Sequence, residues 1–149
     1  MTARTLSHQE CVKRVRSPER YREALLSVDG REPVRYACFV LDDGDLIVPT
    51  GPDRSLVRAA NGRPVVVSMS QPGRGDAGWT VTGMGLARPL APADRPHPVP
   101  HTTGALAGRF DNGIRIVMAR LTGWEDVPEH RIPPQRDGSP GLPDPSRPQ

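Results

Sequence analysis

The stretch from Glu23 to Arg88 constrains the fold more than any other part of this chain. It is a series of short β-type runs cut by turns. Leu25-Leu26-Ser27-Val28 runs into Asp29-Gly30, and Asp-Gly is a strong short hairpin signal because both residues tolerate left-handed backbone. Pro33 to Leu41 follows, with Val34, Tyr36, Phe39 and Val40 suited to a pleated surface. The acidic turn Asp42-Asp43-Gly44-Asp45 leads into Leu46-Ile47-Val48, and Thr50-Gly51-Pro52 ends that run. The order predicts a three-strand meander. A short helix over Asp53–Asn61 comes next, with Asp53 as N-cap, Leu56, Val57, Ala59 and Ala60 as its apolar face, and Asn61-Gly62 as a left-handed stop. Val65 to Met69 is β-branched and apolar, which predicts a buried strand. Pro72 to Asp76 predicts a flexible loop. Trp79 to Leu86 predicts a fifth strand, in which Gly83 and Gly85 mark a bulge or bend.

The flanks extend this pattern. Leu6 to Arg16 opens with Ser7 and Glu10 at capping-box spacing, and Cys11, Val12 and Val15 fall on one helical face before Pro18 ends the run. Glu19 to Val28 fits a helix as well as a strand through Tyr21, Ala24, Leu25 and Val28. The Asp-Gly turn favours strand for Glu23–Val28. Pro89, Pro92, Pro96, Pro98 and Pro100 forbid regular ladders, so residues 89–104 read as an extended surface connection. Ile114 to Leu121 is a sixth strand. Residues 126–149 are proline-rich and polar, which predicts a disordered tail and leaves 1–125 as the domain. Six strands and short helices predict a mainly β chain, an antiparallel barrel. Barrels this small fill with side chains or bind ligands at the rim.

Composition narrows the function. The net charge is +3, from 20 basic and 17 acidic residues that are interleaved, and aromatics make up 4% of the chain. Single-strand binding needs stacking platforms that such a chain lacks, so no nucleic-acid partner is expected. No apolar run reaches the ~18 residues of a membrane span. Met1 to Glu10 is polar and lacks the apolar core of a secretory signal. Cys11 and Cys38 form neither a metal-type pair nor a disulfide framework. These features predict a cytoplasmic protein with reduced thiols. His97 and His101 imitate a metal spacing, but Pro98 and Pro100 prevent the helix that would align them, so no metal is expected. His8 is expected in solvent. No nucleophile elbow, Walker loop or dinucleotide fingerprint is present.

The run Pro33–Leu41, the acidic turn, Leu46-Ile47-Val48-Pro49-Thr50-Gly51, the capped helix, the valine strand and Gly78-Trp79-Thr80-Val81 together resemble the pyridoxamine 5′-phosphate oxidase-like family. The resemblance spans about Leu6 to Leu121. It implies a six-stranded antiparallel split β-barrel with short helices, a homodimer, and FMN or a deazaflavin in the dimer cleft. It implies an oxidoreductase that moves a hydride to or from a small-molecule substrate, the cofactor supplying the redox chemistry. Carried over by position, Tyr36, Ala37 and Cys38 would face the flavin ring, Thr50, Arg54, Ser55 and Arg58 its phosphate, and Trp79 the cleft wall. The chain departs from the family pattern at three places. Cys38 stands where an Asn is usual, Pro49 where an Arg is usual, and Ser55 where a Lys is usual. A phosphate near two negative charges is ordinarily met by Arg or Lys, so the departures remove cations. Arg54, Arg58 and backbone amides at the helix start are the replacements on offer. The plainer readings are a solvated helix face for Arg54 and Arg58, an ordinary turn at Thr50, barrel core for Trp79 and a buried apolar residue at Cys38. A flavin-free barrel that binds another ligand or a partner is the competing functional reading.

Overall fold

A computed structural model of the chain describes residues 2–73, 78–94 and 109–127. In chain order the elements are β1 (Thr2–Leu6), α1 (His8–Val15), β2 (Ser17–Val28), β3 (Val34–Val40), β4 (Leu46–Pro49), α2 (Ser55–Ala60), β5 (Pro64–Gln71), β6 (Trp79–Pro89) and β7 (Gly113–Val127). All pairings between strands are antiparallel. The order β7-β4-β3-β2-β5-β6 closes because β6 also pairs with β7, and β1 adds to the C-terminal half of β7. The predicted six-stranded antiparallel barrel is therefore present, with one strand more than expected. β1 was not anticipated, and β2 reaches back to Ser17, past the expected start at Glu23. The register of β2 against β3 breaks between Ser17 and Arg22, where the segment around Pro18 leaves the ladder.

The turns behave as their residues dictate. Asp29 and Gly30 both take positive φ, 53° and 77°, and the Arg31 N–H closes the turn on the Val28 carbonyl at 3.0 Å. Ser7 and Glu10 form both halves of the capping box at the start of α1. Cys11 and Val15, one turn apart, then plug one end of the barrel. His8 is half-buried rather than in solvent. Its Nδ1 accepts the Leu121 N–H at 3.0 Å, which ties α1 to β7.

Alternation fills the interior. Val65, Val67 and Met69 of β5 point inward, and Val66, Ser68 and Ser70 point out. The bulge predicted from Gly83 and Gly85 is found, but the extra residue lies on the partner strand. Met84 pairs with Arg120 and Gly85 with Met118, which leaves Ala119 over. The inward phase of β7 accordingly changes from Ile114, Ile116 and Met118 to Leu121 and Gly123. The glycines make room for this crossing. A Cβ at Gly83 would lie 2.6 Å from both Leu121 and Met118 side chains, and one at Gly85 would strike the Val117 carbonyl.

A partly buried ionic chain fastens the end of β6. Arg88 holds both carboxylate oxygens of Asp94, at 2.6 and 2.8 Å. Arg115 bridges Asp94 and Asp45 at 3.2 and 2.8 Å, and Asp45 accepts the Met118 N–H at 3.0 Å. The acidic turn read from the sequence as a loop signal thus also locks β7. Residues 95–108 of the expected connection, His97 and His101 among them, and residues 128–149 of the expected tail lie outside the described residues.

Candidate functional site

The residues at the foot of α2 build a pocket of about 230 Å³. Its floor is Leu26, Val28 and Leu56, all buried. The Asp29-Gly30 turn carries Arg31 and Glu32 to the rim, and β3 contributes Val34 and Tyr36. Ser55 and Ala59, four apart and so on one face of α2, complete it. The Ser27 hydroxyl donates to the Arg31 carbonyl and steadies the rim. Among the described residues Arg31 forms no ion pair and the Tyr36 hydroxyl makes no hydrogen bond. The pocket therefore offers one cation, one carboxylate, one phenol and an apolar floor. Sites that enclose a whole drug-sized ligand measure ~300–1,000 Å³, so this one suits a ring rather than an entire nucleotide.

The start of α2 differs from the expectation. The helix begins at Ser55 with Arg54 as its N-cap, and Arg54 makes no side-chain capping bond. Asp53 does the capping from one residue earlier. Its Oδ1 accepts both the Ser55 N–H at 2.9 Å and the Ser55 hydroxyl at 2.8 Å. The Ser55 amide, then its hydroxyl, hold the Asp53 carboxyl below the usual carboxylate range. Thr50 donates its N–H to the Asn112 carbonyl at 2.9 Å, while its hydroxyl is buried without a partner among the described residues. Pro49 has no N–H to offer.

The structure brings Tyr36 and Ser55 together at this pocket and places the other expected residues elsewhere. Arg54 and Arg58 are exposed and do not line it. Ala37 is half-buried on the opposite face of β3 from Tyr36. Cys38 is fully buried; its thiol donates to the Arg22 carbonyl at 3.3 Å, and burial pushes it up to about 12. Such a thiol is inert. Trp79 belongs to the core and is 8% exposed. The Arg22 guanidinium lies 5.4 Å from its ring centroid. The isolated bridge from Asn61 to Ala87 marks where α2 meets β6. Trp79 is eight residues away along that strand, roughly 26 Å at ~3.3 Å per residue. Ring, phosphate and wall residues carried over from the family pattern thus do not converge within one chain. Arg31 and Glu32 were missed, because the Asp-Gly pair was read only as a turn and not as a device that presents the residues after it.

A second feature lies on the outer face of β6 and β7. Met84, Leu86 and Val117 are exposed at 55%, 58% and 46%, beside an apolar groove of about 610 Å³ bounded by Gly85, Met118 and Ala119. The bulge lies on this groove, since Met84, Gly85, Met118 and Ala119 line it. No group of three or more His, Cys, Asp or Glu side chains is placed to hold a metal among the described residues. Among them, no helix is long and apolar enough to cross a membrane.

Compared with protein-family models and with curated proteins, the chain finds no match. Solved structures do match. An FAD binding protein from Mycobacterium smegmatis aligns with a TM-score of 0.58 at 18% identity, over 85% of this chain and 100% of that one. A candidate pyridoxamine 5′-phosphate oxidase from Corynebacterium glutamicum aligns at 0.59 and 20%, over 83% and 92%. An FAD-binding protein from Mesorhizobium loti aligns at 0.59 and 23%, over 84% and 97%. The chain shares the split-barrel fold of the pyridoxamine 5′-phosphate oxidase-like proteins.

Proposed function

We propose that this chain is a flavin-binding split barrel and an oxidoreductase acting on a small substrate. The observation that carries the reading is the pocket at the foot of α2, where Tyr36 and Ser55 meet in a fold shared with proteins described as binding FAD. The fit to a flavin is divided. Val34, Tyr36 and the Leu26, Val28 and Leu56 floor suit an aromatic ring system. The FMN phosphate finds its donors engaged: the Ser55 amide and hydroxyl face Asp53, and the Thr50 hydroxyl is buried.

One chain supplies only part of a cofactor site, which agrees with a homodimer whose partner supplies the rest. The apolar face of Met84, Leu86 and Val117 is the surface for that contact, because exposed apolar side chains and a groove able to receive them lie side by side. The same face and the engaged phosphate donors also support the second reading, a flavin-free barrel that binds a partner.

Visible absorbance of the purified protein separates the two, together with thermal-shift titrations of riboflavin, FMN and a deazaflavin. The first reading expects a yellow preparation or a ligand-dependent rise in Tm, and loss of that rise in Tyr36→Ala. A colourless protein that ignores all three ligands refutes it. Size-exclusion chromatography with light scattering tests the dimer, which Met84→Glu should split.

A further inference from the structure

The pocket at the foot of α2 holds a cation that the fold itself does not use. Arg31 lines it and forms no ion pair among the described residues. Arg35 and Arg88 also line cavities, but each serves an acid, Glu23 at 3.7 Å and Asp94 at 2.6 Å. The acid of the turn that carries Arg31 is taken as well, since Asp29 pairs with Arg63 at 3.2 Å. The hairpin nevertheless fixes the Arg31 backbone on both sides. Its N–H donates to the Val28 carbonyl at 3.0 Å, and its carbonyl accepts from the Ser27 hydroxyl. A few polar groups held around an apolar floor are what orients a small ligand, and holding them in advance lowers the cost of binding.

We propose that this pocket takes an aromatic ring bearing a negative charge, a carboxylate or phosphate on the ring or on an arm of it, and that Arg31 recognises that charge. The ring lies on the floor of Leu26, Val28 and Leu56, and its charged group points to the rim. A guanidinium fork meets two oxygens of a carboxylate or phosphate at once. The Tyr36 hydroxyl is a second donor, which makes no hydrogen bond among the described residues. Against these donors Glu32 is the opposing charge at the rim, and it limits the preference without reversing it. The inference rests on the pocket and stands apart from the flavin reading. FMN has the chemistry it requires, and so does a small aromatic acid.

The test uses the full chain and two pairs of probes, each an anion and its neutral counterpart: phenylacetate with phenylethanol, and FMN with riboflavin. Chemical-shift titrations follow the first pair and flavin fluorescence the second. The anion should bind about three- to tenfold tighter than its neutral counterpart at low salt, and the advantage should shrink at high salt. Arg31→Gln should erase the advantage, and Glu32→Gln should widen it about twofold or more, while the neutral probe moves less than about twofold in either. Both residues are exposed, so circular dichroism should show both variants folded. Either pair behaving in this way supports the proposal. An advantage in neither pair, one that survives Arg31→Gln, or phenylethylamine binding tighter than phenylacetate overturns it. Riboflavin and FMN bound alike, with phenylacetate no better than phenylethanol, leave the flavin reading standing and this one refuted. Phenylacetate held through Arg31 while neither flavin binds does the reverse.

Discussion

Replacing Asp94 with Asn removes the buried charge at the centre of the ionic chain and should make its pH dependence measurable. The Asp94 side chain is 5% exposed. Hydrogen bonding to Arg88 is the largest influence on it. The Ala91 N–H, the Arg88 charge and Arg115 add to this, against the opposing effect of burial. Its carboxyl falls from the ordinary 3.8 to about 2. At ~1.4 kcal/mol per tenfold, that difference corresponds to about 2 kcal/mol of folding free energy at neutral pH. Arg88 is 45% exposed, and solvent screening brings the expected value to about 1–2 kcal/mol. The sign follows from a folded-state value below the unfolded one. The stabilisation is complete above about pH 4 and disappears as pH falls through about 2. Urea unfolding followed by tryptophan fluorescence, at intervals from pH 7 to pH 2.5, measures it. The parent should exceed Asp94→Asn by about 1–2 kcal/mol at pH 7, and the gap should narrow steadily below pH 4. Carboxylates away from this cluster contribute alike to both curves, so the gap between them reports Asp94 and the ion pairs it shares with Arg88 and Arg115. A gap that stays constant to pH 2.5, or none at pH 7, would refute the reasoning.

Two further substitutions probe the barrel. Gly85→Ala places a Cβ 2.8 Å from the Val117 carbonyl carbon, backbone that cannot step aside, and should cost about 1–3 kcal/mol in urea unfolding; a variant as stable as the parent would show that the bulge can relax. Arg22→Met should be neutral or raise Tm, because the Arg22 Nε is buried without a hydrogen-bond partner among the described residues and burial, outweighing the opposing influence of Cys38, lowers its pKa. A loss of several degrees would mean that the contact with Trp79 outweighs the burial of the charge.

Local chemistry made much of this molecule legible. Ser7 and Glu10 announced α1, Asp29-Gly30 the first hairpin, and the valine run β5, since each depends on neighbours within a few residues. Closure was less legible. Thr2–Leu6 carries little strand pattern and exists as β1 because β7 offers it an edge more than a hundred residues away. The bulge shows the same division: Gly83 and Gly85 advertised it, yet the extra residue is Ala119 on the partner strand.

By itself, the sequence determined where this chain turns, how α1 is capped, and which faces of its strands are apolar. Those are short-range properties of backbone sterics, capping and alternation. Only the tertiary structure decided which strands meet and which side chains share a pocket. It put Arg31 and Glu32 beside Tyr36 and Ser55, sent Trp79 to the far end of β6, and gave the donors at α2 to Asp53. Register and closure are set by contacts between residues distant in the chain, and a hydrogen-bond donor can serve only the acceptor that the fold brings to it.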